Sequence, residues 1–255
     1  MKSFWSGLKK GAQPLVVRPA ALTVLICAAL GLALALSGCV NVAGYTQPTL
    51  VRLIDASYAA PAVDVTVENS LIAGNVGLGT ITPYGTLPAS GGAYIKVTAA
   101  TGGATLVSTD ANLLAGHQFS ILLTDNGAAS NGYNVTVLQD QQIQAAGNHS
   151  AFRFLNQALA AGAVDIYMVP PNTKLKNALP IAADVAAGTY TDYISFASQT
   201  VTMVITPTGV LTPKYTSTPI TLTGGEVRTV LITDTQLTSN PPVQVSVGDD
   251  AGPSD

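Results

Sequence analysis

The sequence predicts an all-β architecture in which two tandem antiparallel β-sandwich domains follow an N-terminal export signal. Three observations predict it. An apolar N-terminal segment ends in a small-small-cysteine pattern, the rest of the chain repeats itself once, and apolar residues inside each repeat recur at every second position. The chain is also rich in Val, Ile and Thr and carries 24 Gly and 15 Pro, a composition typical of short strands joined by turns.

The first element is the export signal. Basic residues precede an uncharged apolar run over 20–36, which is the layout of a bacterial signal peptide. A transmembrane anchor that is never cleaved is the alternative, because this run approaches the roughly 20 residues that span a bilayer. An anchor, however, has no need of the small-small-cysteine ending. The basic residues are Lys2, Lys9, Lys10 and Arg18.

The sequence at the end of this run, Leu36-Ser37-Gly38-Cys39, resembles the lipobox of bacterial lipoproteins. The resemblance implies that residues 1–38 are a lipoprotein signal peptide, that Cys39 receives a diacylglycerol on its thiol, and that residues 39–46 are a tether. Residue 40 is Val, not the Asp that commonly retains such lipoproteins in the inner membrane. We therefore expect a cell-envelope protein bound to the membrane through Cys39, with the outer membrane favoured.

Charge and cysteine content limit the partners and the sources of stability. Cleavage before Cys39 removes four of the 11 basic residues and none of the 14 acidic ones, which leaves a net charge of 7 − 14 = −7. No basic patch remains for nucleic acid. Since Cys27 lies within the signal and Cys39 carries lipid, no disulfide is expected in the mature chain.

The second element is an internal repeat. Residues 51–67 align without a gap with 152–168, and residues 75–87 and 113–125 align with 184–196 and 222–234 after an eight-residue insertion. The shared residues span almost the whole unit, which predicts two copies of one domain. They are Arg52/Arg153, Asp64/Asp165, Gly79/Gly188, Thr80/Thr189, Tyr84/Tyr193, Gly116/Gly225 and Asp125/Asp234.

Within each repeat the apolar period is two, as in Val63, Val65 and Val67. Such alternation predicts strands with one buried face. Six or seven short strands in about ninety residues suit an Ig-like sandwich. The predicted boundaries are repeat 1 at 47–139, a linker at 140–149, repeat 2 at 150–247 and a disordered tail at 248–255.

The order "VRLIDAS", "APAVDVTV" and "GTITPY" followed by a Gly turn resembles the bacterial family called domain of unknown function 4397. The resemblance covers both repeats and implies a tandem β-rich module outside the cytoplasm, with no implied reaction. Repeat 2 departs from the pattern, because Ala161-Gly162 replaces Ala60-Pro61. A function of that loop is therefore expected in repeat 1 alone.

No catalytic, cofactor or metal site is predicted. The chain has two histidines, His117 beside a turn and His149 in the predicted linker. No set of ligand residues has zinc spacing. Oxygen donors in residues 124–132 leave calcium open as an alternative, but they lack the pattern of an EF-hand loop.

The repeated charged residues are predicted to be structural. Arg52 and Asp64, like Arg153 and Asp165, are twelve residues apart on the polar phase of neighbouring predicted strands, so each Arg is expected to pair with its Asp across strands. Tyr84 and Tyr193 are expected to be buried rings whose hydroxyls bond to backbone.

These features favour a non-enzymatic binding, adhesion or scaffold module with an envelope protein or polysaccharide as partner. A carbohydrate- or polymer-binding protein is the alternative, which an exposed strip of Tyr58, Tyr84 and Tyr94 would support. An enzyme is a third hypothesis, which a cleft joining Asp55, Asp64 or Asp110 would support.

Overall fold

Strands account for every regular element of the described chain except one 3-10 turn at Leu175–Asn177. They are seen in a computed structural model that describes residues 47–88, 91–126, 132–235 and 242–251. The predicted all-β sandwich class is confirmed. Within the residues described, no helix is long and apolar enough to span a bilayer.

The first repeat forms two sheets. In sheet A the order is β4-β1-β8-β9, with β5 also pairing with β1, and in sheet B the order is β3-β2-β6-β7. The strands are β1 (Thr49–Asp55), β2 (Val63–Val67), β3 (Ser70–Val76), β4 (Thr80–Ile81), β5 (Gly85–Leu87), β6 (Gly92–Ala99), β7 (Thr105–Asn112), β8 (Gln118–Asp125) and β9 (Tyr133–Gln139).

The second repeat forms two further sheets in the same order. Sheet C is β13-β10-β18-β19 with β14 on β10, and sheet D is β12-β11-β15-β16 with β17 on β15. The strands are β10 (His149–Asn156), β11 (Val164–Val169), β12 (Ala182–Val185), β13 (Thr189–Tyr190), β14 (Ile194–Ala197), β15 (Thr200–Pro207), β16 (Tyr215–Thr216), β17 (Ile220–Thr221), β18 (Val227–Asp234) and β19 (Val243–Ala251).

Sheets A and C each contain one parallel pair, which the antiparallel expectation did not include. β1 runs parallel to β8 and places Arg52 beside Ser120, and β10 runs parallel to β18 and places Arg153 beside Thr229. All other strand pairs between described residues are antiparallel.

Each repeat has its own apolar core between its two sheets. The alternating residues Val63, Val65 and Val67 of β2 are fully buried against β1 and β8 of sheet A. The corresponding residues Val164 and Ile166 are buried against Phe152 and Phe154 of sheet C. Period-two patterning therefore determines which face of these strands is internal.

A third apolar cluster joins the two repeats. It contains Ile54, Ala56, Leu122 and Leu138 from the first repeat and Leu155 and Leu231 from the second. These residues have the opposite phase to the core residues of their strands, so they lie on the outer faces of sheets A and C. The four sheets therefore stack in the order B, A, C, D, and sheets A and C are covered on both faces.

The eight-residue insertion covers the outer face of sheet D. There Tyr167, Val169 and Val204 are buried beneath Leu175 and Ala178 of the inserted segment. In sheet B the paired positions that correspond to Tyr167 and Val204 are Thr66 and Lys96. Repeat 1 has polar residues on this face and needs no such cover.

The corresponding loops of both repeats lie at the same end of the stack. The Tyr58 hydroxyl, in the β1–β2 loop, donates to the Gln157 carbonyl oxygen in the β10–β11 loop at 2.9 Å. We call this end the loop end. Since β1 runs from Thr49 to Asp55 toward it, the chain enters the first sandwich from the opposite end.

Two boundaries and two edge strands differ from the prediction. β19 continues to Ala251, so residues 248–251 are strand and not tail, and β10 begins at His149, which had been assigned to the linker. Strands β3 and β7 were not predicted, because edge strands such as Ser70–Val76 lack regular alternation. Residues 252–255 lie outside the described residues.

Candidate functional site

The repeated arginines lie on the outer faces of sheets A and C. Arg52 is flanked on β1 by Val51 and Leu53, whose side chains belong to the core of the first sandwich, so the Arg52 side chain points toward the second repeat. Its side chain is 1% exposed, and that of Arg153 is 4% exposed. Two cations are thus almost completely removed from water between the repeats.

Arg52 binds groups from both repeats. Its Nη2 atom forms an ion pair with Asp250 of the second repeat, and its Nη1 atom donates to the carbonyl oxygen of Asp249 at 3.3 Å. Its Nε atom donates to Ser120 Oγ of the adjacent parallel strand at 2.8 Å.

Arg153 repeats this arrangement in the opposite direction. Its Nη2 atom forms an ion pair with Asp140 and donates to Thr229 Oγ1 at 2.9 Å, and its Nη1 atom donates to the carbonyl oxygen of Gln139 at 3.3 Å. Each repeat therefore supplies an arginine to the other repeat's aspartate. We refer to Arg52, Arg153, Asp140 and Asp250 as the Arg–Asp network.

The repeated tyrosines complete the network. The guanidinium carbon of Arg52 lies 4.6 Å from the centre of the Tyr84 ring, and that of Arg153 lies 4.8 Å from the Tyr193 ring. The Tyr84 hydroxyl donates to Asp140 Oδ2 at 2.7 Å, and the Tyr193 hydroxyl donates to Asp250 Oδ2 at 2.5 Å. The predicted bond from these hydroxyls to backbone is wrong, because a buried carboxylate is the stronger acceptor nearby.

Both carboxylates are neutralised and hydrogen-bonded. Asp140 Oδ2 also accepts from Ser120 Oγ at 2.7 Å, and Asp250 Oδ2 accepts from Thr229 Oγ1 at 2.7 Å. Two positive and two negative charges balance, so burial leaves no net charge in the interface. Buried ion pairs are better tolerated when the carboxylate oxygens are filled in this way, although Arg153 Nε is buried without a hydrogen-bond partner.

The electrostatics of the network keep Arg52 charged and its two tyrosines protonated, while burial raises the pKa of Asp250. Burial acts most strongly and lowers the pKa of Arg52, but Asp250, Tyr84 and Asp140 together outweigh it, so the pKa is raised and the guanidinium stays charged. Burial raises the pKa of the Tyr84 and Tyr193 phenols, which remain protonated donors. Each of these groups is ion-paired or hydrogen-bonded within the network.

Gly248 on β19 allows the second repeat to approach this closely. A β-carbon at this position would lie 2.6 Å from Ile81 Cγ2 and 2.8 Å from Arg52 Nη1, closer than nonbonded atoms come. The absence of a side chain here lets β19 pack directly against β4 and the arginine.

The predicted pairing of Arg52 with Asp64 and of Arg153 with Asp165 is wrong. β1 belongs to sheet A and β2 to sheet B, so the two side chains lie on opposite sides of the first sandwich. Asp64 accepts from the Asn75 amide at 2.8 Å, and Asp165 accepts from the Asp184 and Gly209 amides at 2.8 and 2.9 Å. These repeated aspartates fix irregular hairpin backbone within their own sheets.

Sequence reasoning missed the aspartates that do pair with the arginines. The predicted boundaries place Asp140 in the linker and Asp250 in the tail. A signal for them exists, since residues 135–140 (VTVLQD) and 245–250 (VSVGDD) share the pattern V-x-V-x-x-D. In each repeat this pattern places an aspartate just beyond the apolar part of the closing strand.

The other expected sites do not form. Tyr58 and Tyr84 are half-buried between the repeats, so they make no exposed strip with Tyr94, which is 46% exposed on sheet B. Asp55 is fully buried inside the first sandwich, whereas Asp110 is exposed on β7, so no cleft joins them. Across the described ranges, no three His, Cys, Asp or Glu residues are placed to hold a metal ion.

An open groove lies between the edge strands β7 and β9 of the first sandwich. It has a volume of about 430 Å³ and is lined by Thr109, Asp110, Asn112 and Gln139 above Phe119, Val135 and Val137. Its rim offers hydrogen-bonding groups, while its floor is apolar. Leu36, Ser37, Gly38 and Cys39 of the predicted lipobox, and most of the candidate calcium loop, lie outside the described residues.

Residues 49–167 match the family described as "Domain of unknown function (DUF4397)". The match runs from the start of β1 into β11, so it covers all of the first repeat and the first strands of the second. A resemblance of the whole second repeat to the same family stays a prediction. No curated protein sequence matches this chain.

Two solved structures share a distant likeness. One is a family 26 carbohydrate-binding module of Eubacterium rectale Amy13K in complex with maltoheptaose, with 11% identity, a TM-score of 0.24, and coverage of 78% of this chain and 96% of that one. The other is a Bacteroides fragilis protein proposed to act in cell adhesion, with 10% identity, a TM-score of 0.19, and coverage of 82% and 99%. Likenesses at this level do not bear on function.

Proposed function

We propose that this chain is a lipid-anchored bacterial cell-envelope protein, attached through Cys39 with the outer membrane favoured, whose two tandem sandwiches act as a non-enzymatic binding, adhesion or scaffold module. The observation that carries the proposal is the reciprocal Arg–Asp network. The repeated side chains that most resemble functional groups are used to hold the repeats together. The loops and the outer face of sheet B are therefore the surfaces left for a partner.

The direction of β1 supports a role in presenting these loops. Thr49, where β1 begins, is ten residues after Cys39 (49 − 39 = 10), a distance of at most about 36 Å in extended chain. Because β1 starts at the end opposite the loop end, a lipid on Cys39 is connected to the sandwich at that opposite end. We infer that the loop end points away from the membrane.

Single cysteines test this orientation. Processing removes Cys27 and lipid occupies Cys39, so an introduced cysteine is the single free thiol. The two substitutions are Ala59→Cys at the loop end and Ser70→Cys at the opposite end, and both positions are exposed. Each variant is labelled with the same fluorophore and reconstituted into bilayers. Nitroxide-labelled lipids should quench the label at position 70 more than the label at position 59. Equal or reversed quenching would contradict the orientation.

The same cysteines test for a partner. A photo-crosslinker attached at position 59 in cells should give a discrete adduct with an envelope protein or polysaccharide, and the crosslinker at position 70 should not. Adducts of equal yield from both positions would argue against a binding surface at the loop end.

The groove on the first repeat favours carbohydrate or polymer binding as a second function. Its volume and its mixed polar and apolar lining suit a small ligand or part of a chain. Affinity electrophoresis in gels containing envelope polysaccharide should then retard the protein. Asn112→Ala, which alters the groove, should abolish the retardation, and Asn134→Ala, an exposed position outside the groove lining, should preserve it. Unretarded wild-type protein would reject this function.

A further inference from the structure

Asp55, the last residue of β1, carries an orphaned oxygen inside the first sandwich. Its side chain has the same phase as the core residues Val51 and Leu53, and the residue is 0% exposed. Oδ1 accepts a hydrogen bond from the Ser57 amide at 3.0 Å, whereas Oδ2 is buried with no hydrogen-bond partner. A carboxylate oxygen that is buried without a hydrogen bond destabilises the folded state.

The second repeat shows what this position requires. Asn156 occupies the place of Asp55: each pairs with the first residue of a two-residue strand, Thr189 and Thr80 respectively. Asn156 Oδ1 accepts from the Ala158 amide at 3.1 Å, as Asp55 Oδ1 does from Ser57. The two side chains therefore have the same orientation.

The remaining atom of Asn156 is a hydrogen-bond donor. Nδ2 donates to the carbonyl oxygens of Gly162 at 2.9 Å and Val185 at 2.8 Å. Val185 pairs with Val164 as Val76 pairs with Val63, so the Val76 carbonyl is the first repeat's equivalent acceptor. The site is built to receive a donor, yet Asp55 supplies an oxygen.

Among the residues that the structure describes, no cationic group acts on Asp55 to compensate for a charge. The charged group that acts on it is Asp125 of β8, whose carboxylate already accepts bonds from Ser57 Oγ and the Tyr58 amide. The neighbouring segments 60–63, 73–76 and 79–81 contain no titratable residue. Asp64 is on β2 in the polar phase, away from the core.

We propose that Asp55 is held as a neutral carboxylic acid that donates from Oδ2 to the Val76 carbonyl oxygen, so that one buried proton latches the end of β1 to β3. The proton does in the first repeat what the Asn156 amide does in the second. Deprotonation breaks the latch and places a carboxylate against a carbonyl oxygen, which loosens the β1–β2 loop. Repeat 1 thereby becomes pH-sensitive at its loop end, and repeat 2 does not.

The electrostatics agree with this geometry. Burial raises the pKa of Asp55 to about 6, and Asp125 adds to the increase, while the hydrogen bond from the Ser57 amide opposes it. The latch is therefore closed in mildly acidic solution and opens near neutral pH.

Reciprocal substitutions in the full-length protein test the proposal. Asp55→Asn installs the second repeat's donor, so it should raise Tm at pH 8 by on the order of 5 to 10 °C and leave Tm near pH 4 almost unchanged. Asn156→Asp should lower Tm at pH 8 and gain a pH dependence that wild-type repeat 2 lacks. Carbon-13 NMR of the Asp55 carboxyl should show a titration displaced upward from that of an exposed aspartate.

Four outcomes would overturn it. A Tm of Asp55→Asn that is lowered more at pH 8 than at pH 4 would mean that the ionised form is the stabilising one, and equal lowering at both would mean that the proton plays no part. Titration of the Asp55 carboxyl at its ordinary pKa would also overturn it. A rise in the Tm of the wild type with calcium or sodium, absent from Asp55→Asn, would make the position a cation site instead.

Discussion

Arg52 of the first repeat forms a buried ion pair with Asp250 of the second, 198 residues later in the chain. Arg153 and Asp140 form the equivalent pair in the reverse direction. The two pairs meet, because Arg52 Nε is also 3.9 Å from Asp140 Oδ2. Such reciprocity is characteristic of an isologous interface, in which both partners use the same surface patch and every contact therefore occurs twice. Here both partners are parts of one chain.

Removing one member of a pair should be costly. Asp250→Asn leaves the Arg52 guanidinium buried without its counter-charge, so we expect a loss of about 3 to 5 kcal/mol in the free energy of unfolding. Urea denaturation followed by circular dichroism measures it.

The adjacent residue provides the matched control. Asp249 pairs with Arg228, and its side chain is 77% exposed, so Asp249→Asn should cost no more than about 1 kcal/mol. Its carbonyl bond to Arg52 uses the backbone and survives the substitution. Equal effects of the two substitutions would show that burial of the pair is not what matters.

Gly248 should tolerate no side chain. Gly248→Ala introduces a methyl group 2.6 Å from Ile81 and should cost about 1 to 3 kcal/mol by overpacking the interface. Gly92→Ala is the control, since a β-carbon at that strand position meets nothing within 4 Å. If thermal unfolding gives the same Tm for both variants, the close contact of β19 with β4 is not as described.

The sequence predicted the repeated cores because alternation is a local property. Val63, Val65 and Val67 face inward because successive side chains on a strand point to opposite faces. Arg52 could be found from the repeat in the same way, but its environment could not. A polar residue opposite a core residue is usually exposed on a sandwich, and alternation cannot show that a second sandwich covers that face.

The partners of the arginines were missed for a related reason. Asp140 and Asp250 lie just beyond the apolar residues of β9 and within the last residues of β19, where the composition resembles a linker or a tail. Their burial follows from how the two repeats pack, which depends on contacts almost 200 residues apart. A search for repeated aspartates at strand ends would have found both.

The stability of the protein should fall as pH rises from about 4 to 7. Asp55 has a folded-state pKa of about 6, above its ordinary value of 3.8. Between these values the unfolded chain loses the proton and the folded chain keeps it, so the stabilisation is complete below about 4 and lost above 6. The total loss is on the order of 3 kcal/mol. Chemical denaturation at fixed ionic strength across this range measures it, and a flat profile would contradict it.

Lipidation at Cys39 should be visible by intact mass. Protein extracted from membranes should lack residues 1–38 and carry acyl chains, and Cys39→Ala should accumulate as an unprocessed precursor. Cys27→Ala is the control, because Cys27 lies within the apolar run and its loss should leave processing unchanged. A mature pool that begins at an unmodified Met1 would exclude the anchor.

The first repeat expressed alone should fold and pair with itself. Residues 47–139 contain a complete apolar core, which predicts a β-type circular dichroism spectrum and cooperative unfolding. The fragment 47–142 adds Asp140, the acceptor for an arginine from a second repeat. Because Arg52 and Arg153 occupy equivalent positions, we expect Arg52 of one 47–142 copy to pair with Asp140 of another in a symmetric dimer that also covers Ile54 and Leu122.

Sedimentation velocity separates the outcomes. The fragment 47–142 should dimerise, whereas 47–139, and 47–142 carrying Asp140→Asn, should be monomeric at the same concentration. The two monomeric fragments should also be less stable than the repeat within the full chain, because the outer face of sheet A is then open to water. Equal stability of fragment and full chain would mean that the Arg–Asp network adds nothing to the fold. A disordered 47–142 fragment would instead reject the predicted boundary between the repeats, since the first sandwich would then need the second in order to form.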